Sequence, residues 1–304
     1  MADLTRIRTL ALVGPAGAGK TTLAEALLHR AGAIAQPGSV EKGNTVSDHD
    51  ALERRMLHSL QSSLLHFETA EGLRVHLIDT PGSPDFTGQA LPALEAVETA
   101  IVVIDAQRGI EMMAQRMMDA ARERGRDCAI VINKIDAPGL NLPLLLEQIQ
   151  ATFGKECLPL NLPNQGGVQD CFFNASGPSD FGSVEAAHRA LVEQVVEVDA
   201  AFVDRYLNDG DVPASELHEP LEQALREGHL IPVLFTAAKS GIGIPELLSV
   251  IDKLLPNPLE ANPPAFERSP LFRQCLHVGQ RLARVLFVAE GVDHVQLRRD
   301  LGNL

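Results

Sequence analysis

The chain has 304 residues, 45% of them hydrophobic, and a formal net charge of -14. This length predicts about two domains with a sizeable buried core. The negative charge argues against broad, non-specific binding to nucleic acid or anionic lipid, although it leaves room for a local docking patch. Apolar runs such as residues 100–104 are far shorter than the ~20 residues that span a bilayer, and we expect no secretory or targeting segment. We therefore predict a globular protein of the cytoplasm, with no membrane partner.

The cysteines point to the same compartment. Cys128, Cys157, Cys171 and Cys275 are scattered, without Cys-x-x-Cys spacing or a histidine partner. Neither a zinc site nor a disulfide framework is predicted, so we interpret the four cysteines as reduced thiols. Separately, we expect the protein to be a monomer.

The first predicted strand, residues 9–13, leads directly into a glycine-rich stretch and then a helix with apolar residues at helical spacing. The stretch reads Gly14-Pro15-Ala16-Gly17-Ala18-Gly19-Lys20-Thr21, with Thr22 next. This order fits a phosphate-binding loop, in which backbone N–H groups cradle phosphates while the lysine and the Thr21 hydroxyl serve the outer phosphates and Mg²⁺. The loop alone does not identify the base of the nucleotide.

The second predicted strand, residues 73–78, ends at Asp79-Thr80-Pro81-Gly82. An aspartate at this place can orient the water shell of a metal ion, and the N–H of Gly82 can face the last phosphate. The other interpretation is that Asp79 only forms a turn before Pro81. This interpretation is weaker, because Asp79 directly follows a buried strand.

Two further strands follow, residues 100–104 ending at Asp105 and residues 128–132 ending at Asn133-Lys134-Ile135-Asp136, with a helix predicted over residues 110–124 between them. Guanine presents two adjacent donors that the Asp136 carboxylate can accept, whereas adenine would leave the carboxylate facing a lone pair. That mismatch costs roughly 1–3 kcal/mol or more, which is enough to choose the base. Asn133 can tie this loop to the phosphate loop, and the stem of Lys134 can lie against the base.

The order of elements predicts an α/β fold with a mostly parallel, doubly wound sheet, whose ligand residues share one crevice at the carboxyl ends of the strands. A helix over residues 142–153, a strand over 231–235 and a helix over 245–255 complete the series. The stretch from Asp136 to Ile231 is far longer than the usual connection of about 2–6 residues. We therefore predict an inserted α+β subdomain at about residues 155–228, with strands at 157–162 and 170–174 and acidic amphipathic helices at 184–207 and 214–227. A proline-rich linker and two β-like runs, residues 274–278 and 284–289, follow.

Beyond the three motifs, longer stretches carry a specific resemblance. They are residues 78–82 and 84–87, residues 96–100, residues 102–106 with 109–111, residues 193–207, and residues 255–258. Over about residues 5–262 the chain resembles the guanine nucleotide domain of translation elongation factor G, and in particular the bacterial elongation-factor-G-like proteins. The ordered set makes the resemblance specific, because matches to a single loop are common.

The resemblance implies binding of GTP and GDP with Mg²⁺, which Thr21 binds and Asp79 reaches through water, hydrolysis of GTP with Lys20 in a catalytic role, and the ribosome as a partner. It implies no sequence-specific recognition of nucleic acid. The turn Ala237-Ala238-Lys239 occupies the place where the family contacts the guanine oxygen through backbone N–H groups. Residues 1–262 would be the GTP-binding domain, and residues 263–304 a linker and the truncated start of a β-barrel second domain.

Three departures from the family pattern fall on catalysis. Ser83 stands where the family has a histidine that positions the attacking water, and Gly17 stands where the family commonly has an aspartate. In the mobile loop, Arg54-Arg55-Met56-Leu57 replaces an Arg-Gly-Ile-Thr run, so that Leu57 takes the place of a metal-binding threonine, with Ser59 or Thr45 as alternative donors. Groups of this kind change the rate of phosphoryl transfer by around 10³ to 10⁵. We therefore expect slow hydrolysis unless a partner completes the site, and among the nearby histidines we would test His58 first.

Two hypotheses remain open from the sequence. One is a translation-factor-type GTPase, and the other is a GTP/GDP-sensing regulatory or ribosome-associated binding module that does not hydrolyse the nucleotide. An ATP-using protein is a third, weaker hypothesis, against which Asp136 argues.

Overall fold

The computed structural model of this chain describes residues 3–48, 50–198, 202–203 and 218–261. These residues belong to one compact unit, Met1–Pro263. The β-like runs predicted at residues 274–278 and 284–289, together with Cys275, lie outside the described residues. Within the described part of the chain, no helix has the length and the apolar character needed to cross a membrane.

The centre of the unit is a seven-stranded sheet in the order β2-β3-β1-β4-β5-β9-β6. Its strands are β1 Ile7–Val13, β2 Ser63–Glu68, β3 Arg74–Asp79, β4 Thr99–Asp105, β5 Asp127–Asn133, β6 Cys157–Pro159 and β9 Ile231–Phe235. Only β2 runs antiparallel to its neighbour within this sheet. The predicted mostly parallel α/β fold is therefore confirmed.

Helices pack against the sheet. The described helices of six or more residues are α1 Lys20–Arg30, α2 Ala51–Met56, α3 Thr87–Leu94, α4 Met112–Glu123, α5 Leu142–Phe153, α6 Val184–Val196, α7 His218–Arg226 and α8 Ile244–Lys253. Every residue of β4 and β5 is buried, as expected for parallel strands that are covered on both faces. The strand and helix predictions in this central part are right to within about two residues, which is the usual uncertainty of element ends.

The predicted insert differs from the structure in its strands. Residues 157–162 were predicted as one strand, but they divide into β6, which pairs with β9 at the edge of the main sheet, and the start of β7 Asn161–Asn164. The strand predicted at residues 170–174 is wrong, because β7 pairs instead with β8 Gly167–Asp170 across a tight turn at Gln165 and Gly166. Helix α6 ends at Val196, and most of the stretch from 199 to 217 lies outside the described residues.

Strand β2 had no counterpart in the sequence analysis, and its pattern explains why. Its residues alternate strictly between buried and exposed, as in an edge strand with one solvated face. Continuous apolar runs mark only the strands that are buried on both sides, so they do not reveal this one.

Glu98, just before β4, leads to a prediction about stability. The Thr9 hydroxyl donates to its carboxylate, and burial raises the pKa of Glu98 to about 7. A carboxyl group whose pKa is raised on folding lowers the stability of the fold as the pH rises from about 4.5 to about 7, and the loss stays constant at higher pH. Glu98→Gln should therefore increase the free energy of unfolding at about pH 8 by roughly 1–3 kcal/mol, with a much smaller gain at about pH 5.

Thermal unfolding of Glu98→Gln at the two pH values checks this expectation. Glu123→Gln, on the exposed face of α4, is the matched control and should change neither value. An equal effect of Glu98→Gln at both pH values would contradict the proposed ionisation.

Candidate functional site

The glycine-rich loop lies between the carboxyl end of β1 and the start of α1. Gly14 has φ +127°, and a Cβ at this position would lie 2.5 Å from the carbonyl oxygen of Val103. Gly19 has φ +93°, and a Cβ there would lie 2.4 Å from Nδ2 of Asn133. Both positions combine a left-handed backbone with close approach of another strand end, so glycine is required at both.

Lys20 is held inside this loop. Its Nζ donates to the carbonyl oxygens of Gly14 and Pro15 at 2.9 and 2.8 Å, and the residue is only 5% exposed. Burial lowers the pKa of Lys20 to about 8, with Asp79 and Glu111 opposing the shift. The ammonium group is therefore desolvated and surrounded by carbonyl dipoles, which prepares it for a strongly anionic ligand.

The second motif meets the first at two points. The Thr21 hydroxyl donates to Oδ2 of Asp79 at 2.7 Å, and burial raises the pKa of Asp79 to about 6. Gly82 packs directly on the loop, because a Cβ at Gly82 would lie 2.3 Å from Nζ of Lys20 and 2.5 Å from the backbone nitrogen of Ala16. A side chain at residue 82 would push the two motifs apart.

A third segment, residues 38–60, covers this corner and was not predicted to take part as a unit. Glu25 of α1, itself 1% exposed, accepts the N–H groups of Gly38 and Val46 at 2.7 and 2.5 Å and so fixes the segment to the domain. Asp48 is also buried, and its carboxylate accepts from the hydroxyls of Ser59 and Thr45 at 2.7 and 3.2 Å.

The structure shows where Leu57 and the two alternative hydroxyl donors, Ser59 and Thr45, lie. Leu57 ends α2 in a left-handed conformation with φ 57°, and it is half exposed. The hydroxyl that reaches the Thr21 and Asp79 pair belongs to Ser59, whose Oγ lies 3.3 Å from Oγ1 of Thr21. The assignment of Leu57 to the threonine position therefore stays a prediction, and of the two alternative donors the geometry favours Ser59. Thr45 instead bonds to Asp48.

The third motif is organised by the buried side chain of Asn133. Its Nδ2 donates to the carbonyl of Ala18 at 3.0 Å, and its Oδ1 accepts from the N–H of Ala238 at 3.0 Å and from the Thr236 hydroxyl at 3.3 Å. One amide thus joins the glycine loop, the end of β5 and the turn after β9. The predicted tie between Asn133 and the glycine loop is present.

The other residues around this amide have definite partners. Nζ of Lys134 lies 2.6 Å from both the carbonyl oxygen of Gly17 and Oδ2 of Asp105. Asp136 is exposed and accepts from the Ser240 hydroxyl at 2.9 Å. The N–H groups of Ala237 and Ala238 donate to the carbonyl oxygen of Ile242 and to Oδ1 of Asn133. Neither group is therefore available in this structure for the backbone contact predicted for the turn.

These elements enclose a cavity of about 500 Å³. The predicted site residues that line it are Ala16, Gly17, Gly19, Lys20, Thr21, Thr22, Gly82, Ser83, Asn133, Lys134, Asp136, Ala238 and Lys239. Five other predicted site residues are not among those that line the cavity: Gly14, Pro15, Ala18, Asp79 and Ala237. The lining residues that were not predicted as site residues include Val40, Glu41, Asp48 and Thr80. No sequence motif marks the segment from 38 to 48, so only its contacts reveal its role.

A doubly wound sheet with a glycine loop after its first strand and polar side chains at its carboxyl edge defines a P-loop nucleotide-binding domain. Residues 5–257 match the family described as the elongation factor Tu GTP binding domain. The chain therefore belongs to the GTP-binding domain family of the translation elongation factors.

Individual relatives agree with the predicted resemblance to elongation factor G, which is confirmed. The chain is 35% identical to an elongation factor G-like protein of Mycobacterium tuberculosis, over 84% of this chain and 38% of that protein. It is 30% identical to the tetracycline resistance protein TetO of Streptococcus pneumoniae, over 81% of this chain and 36% of that protein. A crystal structure of a protein from Thermus thermophilus superposes with a TM-score of 0.76 and 33% identity, over 84% and 41% of the two chains. The chain thus spans about two fifths or less of the length of these relatives.

The donor set at the Thr21 and Asp79 corner fits a magnesium ion. Thr21 and Ser59 contribute hydroxyls, and Asp79 and Asp48 contribute carboxylates, with the Ser47 hydroxyl facing Asp79. All are hard oxygen donors, the class that Mg²⁺ prefers in nucleotide sites. The desolvated carboxyl of Asp79 would ionise fully beside a divalent cation.

Proposed function

We propose that this chain binds GTP and GDP together with Mg²⁺ and hydrolyses GTP slowly on its own. The observation that carries the proposal is the Asn133 amide, which fixes the phosphate loop and the base-reading loop to one cavity. Membership of the elongation factor family supports a guanine nucleotide as the ligand. The desolvated ammonium group of Lys20 supports binding through the outer phosphates of that nucleotide.

Each predicted residue then has a role. The N–H groups of residues 14–19 and Lys20 bind the phosphates, assisted by Thr22 at the start of α1, and Asp136 with the Lys239 turn reads guanine. The Thr21 hydroxyl would hold Mg²⁺ directly, and Asp79 would hold it through water. When bound, this ion neutralises charge on the outer phosphates. Gly82 places its N–H toward the last phosphate.

Slow turnover is proposed because of Ser83. This residue lines the cavity, and its hydroxyl makes no capping bond to the following short helix, Pro84–Phe86. Turnover should be slow because a serine hydroxyl is a weak group for orienting and deprotonating the attacking water. The imidazole of His58 lines the same cavity and its ring centroid lies 6.2 Å from that of Phe86. His66 and His76 face each other across β2 and β3 away from the cavity, and His49 lies outside the described residues.

Ser83→His should increase the single-turnover rate of GTP hydrolysis by about 10²-fold, because a positioned imidazole contributes roughly 10² to 10⁴ as a general base. The rate is measured with enzyme in excess over GTP, alongside GDP affinity, which should not change. His58→Ala is the companion variant, and a loss of rate in it would identify His58 as the group that replaces the missing imidazole. Unchanged turnover in Ser83→His would contradict the account of slow hydrolysis.

The ribosome is proposed as the partner that accelerates hydrolysis. The support comes from relatives of this chain, which include a mitochondrial ribosome-releasing factor 2 of Eremothecium gossypii that is 28% identical over 88% of this chain and 36% of that protein. Val46, Leu52, Met56 and Leu57 are exposed apolar side chains, and Leu57 lines the cavity, so a partner that covered them would lie next to the nucleotide site. Phosphate release that is no faster with ribosomes than without them would contradict this partner.

A non-hydrolysing GTP/GDP sensor is the second candidate function, and Ser83 is the observation that favours it. Nucleotide binding without any phosphate release, in the presence and absence of ribosomes, would select it over the GTPase.

Proton uptake by Lys20 gives a direct test of phosphate binding. Burial lowers the pKa of Lys20 to about 8, so in the free protein the amine is largely neutral at about pH 9, and an adjacent phosphate would restore its proton. GDP binding should take up close to one proton at about pH 9 and almost none at about pH 7. Calorimetry in two buffers of different ionisation enthalpy measures this number.

Guanosine, which lacks phosphate, is the control ligand and should bind without proton uptake. Absence of uptake by GDP at the higher pH would mean that Lys20 does not contact the phosphates as proposed.

A further inference from the structure

Arg108 lies against the outer side of the phosphate loop and has no role in the motifs described above. It lies in the turn between β4 and α4, where Gly109 bridges back to Asp105. Its Nη1 donates to the carbonyl oxygen of Ala16 at 3.1 Å. The guanidinium group therefore touches a residue that lines the nucleotide cavity.

The guanidinium group of Arg108 also lies beside Gly17. A Cβ at Gly17 would lie 3.4, 3.5 and 3.7 Å from Nη1, Nη2 and Cζ of Arg108. Both terminal nitrogens of Arg108 would therefore be at van der Waals distance from a side chain at residue 17. No side chain at residue 17 stands between the positive charge and the backbone that would hold the phosphates.

The local charges leave Arg108 weakly held. Lys134 lies 2.6 Å from the Asp105 carboxylate, whereas Arg108 lies 4.0 Å from the same group and 3.9 Å from Glu111. Its side chain is 55% exposed. Ion pairs at this length and exposure contribute little to stability, so Arg108 can exchange these partners for a stronger anion at small cost.

We propose that Arg108 supplies a positive charge, from within the same chain, to the outer phosphates of bound GTP. The inference rests on the proposed function. In hydrolysis, a water oxygen bonds to the γ-phosphorus as the bond to the β–γ bridging oxygen breaks, giving GDP and inorganic phosphate, with the water proton passing to the phosphate. Negative charge grows on the bridging and outer oxygens during this step, and a guanidinium group at that point stabilises it.

Arg108→Ala tests the proposal, with Arg116→Ala as its matched control. Arg116 lies on the exposed side of α4, so its removal changes the net charge equally without touching the phosphate loop. Fluorescence titrations give the affinities for GDP and for a non-hydrolysable GTP analogue, and single-turnover assays give the hydrolysis rate.

For Arg108→Ala we expect the preference for the GTP analogue over GDP to fall about tenfold and the hydrolysis rate to fall about 10²-fold. GDP affinity itself should change by less than about threefold. Arg108→Lys should keep part of the GTP preference, because it retains the charge but not the planar group. Added guanidinium ion should restore part of the rate in Arg108→Ala and none in Arg116→Ala.

A merely structural role for Arg108 would give a different pattern, with GDP and GTP binding weakened equally, the melting temperature lowered and no rescue by guanidinium. That pattern, or identical behaviour of Arg108→Ala and Arg116→Ala, would overturn the proposal. If the unaltered chain fails to bind GDP, the proposed function itself fails. Retained GDP binding without any effect of Arg108→Ala removes only the role of Arg108.

Discussion

Asp136→Asn is expected to lower the affinity for GDP by about 10²-fold and to make xanthosine diphosphate the better ligand. The carboxylate lines the cavity and has a single hydroxyl partner, Ser240, among the contacts found for the described residues. It can accept both the ring N–H and the exocyclic amine of guanine. An amide in its place presents a donor to one of these donors, and a mismatch of this kind costs about 1–3 kcal/mol, and more where a charge is involved.

Xanthine carries a carbonyl where guanine carries the amine, so the same amide can donate to it while its oxygen accepts the ring N–H. Competition titrations with GDP, XDP and ADP against one fluorescent nucleotide measure the three affinities. The melting temperature of the free protein serves as the control and should not move, because Asp136 is exposed. An equal loss of GDP and XDP affinity would show that residue 136 supports the loop without reading the base.

Asn133→Ala is expected to reduce both stability and nucleotide affinity. The residue is 1% exposed, and its removal leaves the carbonyl of Ala18 and the N–H of Ala238 without their bonds to it. Buried polar groups that lose a partner cost about 1–3 kcal/mol each, so the free energy of unfolding should fall by roughly 2–4 kcal/mol. GDP affinity should fall by about 10²-fold, because the loops that contact phosphate and base lose their common anchor.

The chain offers a matched control in Asn161. This buried side chain joins β7 to β9 through two bonds to Phe235, with distances of 3.2 and 2.7 Å, and it does not line the cavity. Asn161→Ala should lower stability to a similar degree while GDP affinity, measured well below the melting temperature, stays within about threefold of the unaltered chain. Loss of affinity in both variants to the same extent would mean that stability alone explains the effect of Asn133.

Much of the site could be predicted because its chemistry is local to short stretches of sequence. A phosphate loop needs glycines where the backbone has positive φ, and Gly14, Gly17 and Gly19 all have it. Asp79 and Asn133 follow buried strands, and parallel strands deliver their ends to the same edge of a sheet. The mostly parallel central sheet and the place of the three loops at its edge therefore followed from pattern and position, whereas β2 and the strands of the insert did not.

The remaining part depends on contacts between distant residues. Ser59 reaches Thr21, and Asp48 becomes buried, because Glu25 on α1 and the capping box of Asp50 and Glu53 fix residues 38–60 in place. This segment has no long periodic element that would set its register, so the sequence left Ser59 and Thr45 as two alternatives to Leu57, and only the folded chain brings Ser59 to Thr21. Arg108 was invisible for the same reason, since only the folded chain brings it to Ala16.

The most direct test of the central claim is a competition titration of the unaltered chain with GDP and ADP in the presence of Mg²⁺. A site in which Asp136 reads the base and Lys20 binds the phosphates should prefer GDP over ADP by about 10-fold to 10²-fold or more, since rejection of an unmatched base costs roughly 1–3 kcal/mol or more. Equal affinity for the two nucleotides, or no binding of either, would contradict the account.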